Sequence, residues 1–277
     1  MLKASVSPEV TVMPAPKVGL GQFVDLLQTQ GRYFFNRIEA MAATGGSVAA
    51  FQVAVRRLVA RRRIVVPRLG FYVIVPLEYA SVGSPPPDWF IDPLMAHLGQ
   101  PYYVGLLSAA MLHGAANQQP QELQVITSMP LRPVTNGRIR IRFMQKMEIR
   151  QTSVVKMKTY TGYIPVSTPE ATALDLIRYV RVCGGLNNVA TVLMELGEQM
   201  VPARLVEAAT LVEIPYVQRL GYLLELVGQT ELADALAQYV EHRVTRTYAL
   251  RPDLAFATSP TSRRWHLIVN DDVEVDQ

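Results

Sequence analysis

The stretch that most constrains the fold runs from Val18 to Val75, where short patterns are punctuated by Gly31, the Gly45-Gly46 pair and Pro67-Arg68-Leu69-Gly70. Phe23-Val24-Asp25-Leu26-Leu27 has helical spacing, and Gly31 stands where such a helix ends. Asn36 is placed to cap a second helix over Arg37-Ile38-Glu39-Ala40-Met41-Ala42, which the glycine pair stops. Ser47 is a good N-cap for a third helix reaching about Arg62. In it Phe51, Val55, Leu58 and Val59 recur on one face, while Ala49, Gln52, Val53 and Arg56 point the other way. Ile64-Val65-Val66, a turn, and Phe71-Tyr72-Val73-Ile74-Val75 read as a β-hairpin. Three helices followed by a hairpin predict a winged helix-turn-helix over residues 17–80.

Charge follows the same division. Up to Ala80 there are ten Lys/Arg against four Asp/Glu, whereas the remainder holds seventeen against nineteen. The surplus gathers on and after the third helix as Arg56, Arg57, Arg61, Arg62 and Arg63, with Arg68 in the hairpin turn. Guanidinium forks fit phosphate and the guanine edge, and in this fold the exposed face of the third helix meets the major groove. Operator DNA is therefore the expected partner of the front of the chain, held by Ser47, Ala49, Gln52, Arg56, Arg57, Arg61, Arg63 and Arg68. Gln52 and Arg56 are the expected base readers. A solvated helix face ending in cations that suit the dipole is the simpler use of the same residues.

Residues 1–16 read as a flexible lead, and 81–87, with three consecutive prolines, as an extended linker. Behind it, helical patterns at 93–98 and 105–115 mix with strand-like runs at 123–127, 139–143 and 163–166. Thr168-Pro169-Glu170 is a strong helix start, with the helix reaching about Arg181. Three or four more helices fit between Asn187 and His242, and Trp265 to Val269 reads as a last strand. The fold class expected is α+β: a winged helix-turn-helix, then a larger, mainly helical α+β domain over 88–277 with a small sheet. Within it Arg138-Ile139-Arg140-Ile141-Arg142-Phe143 alternates, placing Arg138, Arg140 and Arg142 on one face. That is either the wet side of an ordinary strand or a second basic contact surface.

Other function classes lack their signatures. The apolar runs stop short of the roughly 18 residues a membrane span needs, and no signal-peptide pattern opens the chain. Cys183 is the single cysteine, which suits a reducing cytoplasm. No paired-cysteine or HExxH spacing suggests a metal; Gly19 and Gly21 follow no strand, and no phosphate loop is present. His97 and His113 lie in apolar helical surroundings, His242 and His266 in no motif. Asp88 and Asp92 are best placed as caps for the helix after Pro93. No cofactor, metal or catalytic residue is expected.

Three segments in order resemble the AbiEi-type antitoxins of type IV toxin-antitoxin systems. They are Arg56-Arg57-Leu58 through Gly70-Phe71-Tyr72-Val73-Ile74-Val75-Pro76, then Leu106 to Ala115, then Val166-Ser167-Thr168-Pro169-Glu170-Ala171-Thr172-Ala173-Leu174-Asp175-Leu176. The resemblance spans roughly Lys17 to Gly197 and implies an N-terminal domain that represses its own operon. It also implies a C-terminal domain that neutralises a nucleotidyltransferase-like toxin without needing a stable complex. Operator contact carries over to Gln52, Arg56, Arg57 and Arg68 alone, and a homodimer on paired half-sites is expected. The first turn of the third helix, Ser47-Val48-Ala49-Ala50-Phe51, departs from the family in being apolar. The alternatives are a stand-alone winged-helix regulator without a toxin and an enzyme acting on nucleic acid.

Overall fold

The computed structural model describes residues 18–115, 121–244, 246–255 and 257–275. The expected lead at 1–16 lies outside them. Helix α1 (Leu20–Thr29) buries Leu20, Phe23, Val24 and Leu27, one stripe of an amphipathic helix. Strand β1 (Phe34–Asn36) leads directly into α2 (Arg37–Thr44), whose N-cap Asn36 accepts from Glu39 N at 2.9 Å. Gly45 ends α2 in the left-handed region at φ 63°, where a side chain would be strained. After Ser47, which accepts from Ala50 N at 3.2 Å, comes α3 (Val48–Ala60). Strands β2 (Ile64–Arg68) and β3 (Phe71–Ile74) follow, giving an antiparallel sheet in the order β1-β3-β2. Phe23, Phe35, Phe51, Leu58, Ile64, Tyr72 and Ile74 form the core beneath the three helices.

The proline-rich stretch is not a free linker. Ser84 and Pro85 are buried, and short 3-10 turns at Leu77–Tyr79 and Pro87–Trp89 fold it back onto the protein. The Trp89 ring stacks on Tyr160 at 4.2 Å and packs against Tyr33 at 5.0 Å, so apolar contact holds the segment down at both sides.

Next come α4 (Ile91–Leu98), β4 (Tyr102–Val104), α5 (Leu106–Leu112), β5 (Leu123–Thr127), β6 (Val134–Asn136), β7 (Ile139–Gln145), β8 (Val154–Lys158) and β9 (Tyr163–Ser167). Here the sequence suggests three strands, and six build one mixed sheet in the order β6-β7-β5-β4-β9-β8. Alternating residues serve two cores. Val104, Val125, Ile141 and Val166 face Leu94 and Met95 of α4 and also Tyr33, Phe71 and Val73 from the front of the chain. Tyr103, Ile126 and Met144 face the helices behind: α6 (Pro169–Arg178), α7 (Gly185–Leu196), α8 (Pro202–Ala209), α9 (Ile214–Leu226) and α10 (Thr230–Glu241). The chain finishes with β10 (Tyr248–Ala249), β11 (Thr261–Ser262) and β12 (Leu267–Ile268), the last strand being shorter than expected. Trp265 is fully buried and lies so close to Gly221 that a Cβ there would sit 2.0 Å from its ring. The architecture is mixed α+β. Among the described residues no single helix is long and apolar enough to cross a membrane.

Candidate nucleic-acid interface

Helices α2 and α3 meet at 109°, joined by Gly45, Gly46 and Ser47. Only Phe51 and Leu58 of α3 are buried, with Ala54 and Val55 half-buried. Ala49, Gln52, Val53 and Arg56 are exposed, as the spacing predicts, and so is Arg57, but Val59 also faces out at 41% exposure. Its expected place in the core is not taken up, because the helix rests on Tyr72 and Ile74 through Phe51 and Leu58.

The helix ends in an unusual way. Arg63 N donates to Leu58 O and Arg62 N to Val59 O, both at 2.9 Å, and between them Arg62 takes φ 55°. This is the geometry that usually selects glycine after a helix, here held by an exposed arginine. Among the described residues, Arg56, Arg57, Arg61 and Arg62 make no side-chain hydrogen bond or ion pair, so four free guanidinium groups crowd the last two turns and the exit of α3.

The other predicted arginines are occupied. Arg63 pairs with Asp25 at 2.5 Å and donates to Gln28 at 3.1 Å, tying the end of α3 to α1. Arg68 is engaged with the second half of the chain. It donates to the carbonyls of Arg132 and Pro133, and burial together with the Arg132 charge holds its pKa below the ordinary arginine value. The hairpin as a whole leans on the second half: Asn136 Nδ2 donates to Val66 O at 3.2 Å, and a ring nitrogen of His97 lies 3.2 Å from Leu69 O. Only the Leu69 side chain at the tip stands clear, at 92% exposure. Arg68 is thus a joint between the two halves.

The alternation of β7 is as expected: Ile139 and Ile141 are buried, and Arg140 and Arg142 are exposed, with Arg138 just before the strand also exposed. Arg142 is paired with Glu122 at 3.2 Å, which leaves Arg138 and Arg140 lining a cavity of about 330 Å³ beside Pro86, Pro87 and Asp88.

Sequence reasoning missed a buried polar cluster. Lys146 Nζ lies 2.8 Å from Asp175 Oδ1 and donates to the Tyr103 hydroxyl at 3.3 Å, while that hydroxyl donates to Asp175 Oδ2 at 2.6 Å. The signal was available, since Asp175 stands in the otherwise apolar Ala173-Leu174-Asp175-Leu176-Ile177. Every charge in the cluster is answered within it, which is what burial demands. Nearby, Thr168 caps α6 by accepting from Ala171 N at 3.3 Å. Buried Glu170 accepts from Val201 N at 3.1 Å, fixing the start of α8, and Ser167 and Thr172 hydroxyls lie 2.6 Å apart. A ring nitrogen of His113 lies 2.7 Å from Ser167 O. Burial pushes the Cys183 thiol up to about 12, with the Asp175 charge adding to it. Asp92 accepts from the Tyr102 hydroxyl at 3.0 Å, and α4 has no side-chain cap, so the capping role expected for Asp88 and Asp92 is not taken up. Among the described residues, no group of three or more His, Cys, Asp or Glu could hold a metal ion.

Residues 103–226, which contain this cluster, the α6 cap and most of the second core, match the AbiEi antitoxin C-terminal domain. This part of the chain is an AbiEi antitoxin C-terminal domain. The AbiEi region begins inside the six-stranded sheet and ends with α9, so β10–β12 and the front of the chain lie outside the match. Among solved structures, the chain is similar to the RV2827C protein from Mycobacterium tuberculosis, with 14% identity and a TM-score of 0.66 over 91% of this chain and 92% of that one. At that identity the likeness speaks for the fold, and it covers both halves in one arrangement. No curated protein sequence matches the chain.

Proposed function

We propose that this AbiEi-family chain is a winged helix-turn-helix autorepressor and antitoxin, which binds its own operator through α3 and neutralises a nucleotidyltransferase-like toxin through the AbiEi domain. The observation that carries the DNA-binding part is the set of four arginines, Arg56, Arg57, Arg61 and Arg62, at the exposed end of α3, which have no side-chain partner among the described residues. Unpaired guanidinium groups on a convex helix are costly neighbours for one another, and phosphates relieve that repulsion. The 109° crossing and the three-residue glycine turn support the reading, because helix-turn-helix pairs cross at about 90–120° over such turns. Ala49, Gln52 and Val53 lie toward the N-terminal half of α3, the end that reaches base edges, where small apolar groups suit thymine methyls and Gln52 suits adenine. A homodimer on paired half-sites, the usual arrangement for this motif, is part of the proposal.

The test uses the full chain. Wild type should shift a fragment of its own promoter in a gel, and Arg56→Ala with Arg57→Ala should abolish the shift at near-physiological salt. Co-expression with the toxin from an unrelated promoter should restore growth with wild type and with this double variant alike. Retention of the promoter shift by the double variant overturns the α3 assignment. Failure of wild type to restore growth overturns the antitoxin assignment and leaves a regulator without a toxin.

A further inference from the structure

Four arginines from three separate segments converge on a cavity of about 350 Å³ that is also lined by Ile177, Leu186 and Leu250. Arg178 closes α6, Arg181 follows in the loop, Arg219 stands on α9, and Arg251 lies just after β10. Asp253 is the one carboxylate among the described lining residues, and Tyr216 supplies an aromatic wall. The volume falls in the range of small-molecule sites, roughly 300–1,000 Å³.

The carboxylates do not answer these charges evenly. Arg251 is fully engaged, donating to both oxygens of Asp253 at 3.0 and 2.9 Å and to Asp271 at 2.9 Å. Arg178 has a looser pair with Glu213, at 3.3 and 3.4 Å. Arg181 reaches only the already shared Asp253, at 3.3 Å, with 76% of its side chain exposed. Among the described residues Arg219 has no carboxylate partner: Nε and Nη2 both turn to Ala249 O, at 3.2 and 3.0 Å, and Nη1 has none of any kind. Burial holds its pKa below the ordinary arginine value, the mark of a cation short of compensation. Arg178 and Arg219 also lie over the Tyr216 ring, 5.5 and 5.9 Å from its centroid, so the ring keeps two cations at the same wall.

A half-buried guanidinium without a counter-ion, opening on a cavity ringed by three more, lacks an anion. We infer that this cavity is a binding site for a small phosphorylated ligand, with Arg219 and Arg181 as its main phosphate donors and Arg178 and Tyr216 as its wall. Asp253 does not oppose this, because it is held between Arg251 and Arg181. The site is independent of DNA binding, lying on α6, α9 and the β10 loop and not on α3.

The experiment uses the full chain carrying Arg56→Ala and Arg57→Ala, so that anions drawn to α3 do not contribute. Thermal unfolding is followed with pyrophosphate and with adenosine 5′-phosphate, each against sodium chloride of equal ionic strength, and affinities are read by calorimetry. At about a hundredfold excess over Kd, either phosphate should raise Tm by roughly 5 °C or more beyond chloride. Arg181→Ala and Arg219→Gln should each weaken binding at least about tenfold, as removal of one charged hydrogen-bond donor group does. Should Arg219→Gln fail to fold, Arg181→Ala decides alone, since its side chain is mostly in water. No rise beyond chloride, unchanged affinity in Arg181→Ala, or equal binding of adenosine overturns the site.

Discussion

Lys146 Nζ lies 2.8 Å from Asp175 Oδ1, both side chains almost wholly out of water, across 29 residues of sequence. The pair joins the end of β7 to the middle of α6, and so joins the sheet to the helices behind it. Asp175→Ala should cost about 3–5 kcal/mol in urea unfolding, because it strands a buried ammonium. Lys146→Met combined with Asp175→Leu should cost much less than either single change. Additive losses from the double change would show that the two do not act as a unit.

The sorting of the arginines gives a second expectation. Alanine at Arg56, Arg57 or Arg61 should lower operator affinity and flatten the salt dependence by about 0.9 for each phosphate that is no longer neutralised, with stability nearly unchanged. Alanine at Arg63 or Arg68 should do the reverse, lowering Tm while leaving the salt slope as it was, since these side chains are spent on Asp25, Gln28, Arg132 and Pro133. Titrations at several salt concentrations read both quantities. A flattened slope for Arg68→Ala would return that residue to the DNA surface.

Arg62 holds a conformation that glycine adopts freely. Arg62→Gly should raise stability by about 0.5–1 kcal/mol while weakening DNA binding, an exchange expected where a strained residue serves function. Chemical denaturation and gel shift on the same preparation test this. Destabilisation by glycine would mean that the Arg62 side chain supports the fold.

Alkaline pH should unfold the protein early. Burial raises Tyr179 and Cys183 to about 12, above ordinary values of 10.0 and 9.0, and raises Tyr102 and Tyr103 further. These groups keep their protons more tightly folded than unfolded. Stability is therefore at full value below about pH 9 and falls as the pH climbs toward 12, where the unfolded chain sheds protons first. Denaturation midpoints across that window measure the slope. Cys183→Ala should make it shallower, and an unchanged slope would remove the thiol from the effect.

What is legible in the sequence is local. The caps at Asn36, Ser47 and Thr168 and the alternation of β7 each depend on residues within a turn or two of one another, and those features stand in the structure. Strands β1, β4 and β6 escape a sequence reading because three residues carry no usable period. Arg68 looks like a wing cation because its carbonyl partners lie more than sixty residues away. The prolines at 85–87 advertise only their stiffness, and nothing nearby in sequence announces Tyr33 and Tyr160, which clasp Trp89. Long-range packing of this kind is set by topology, which a single sequence shows poorly.

The shared core under the hairpin also limits how such proteins can be recombined. Phe71 and Val73 pack with Trp89, Leu94 and the second sheet, while Asn136 holds Val66. A chimera that grafts residues 18–82 onto another antitoxin domain would leave an apolar wound on each piece, even with the chain joined at the prolines. A functional graft has to carry both sides of that seam; with α3 as the proposed operator reader, rewriting its outer face disturbs less of the fold than swapping the whole front of the chain.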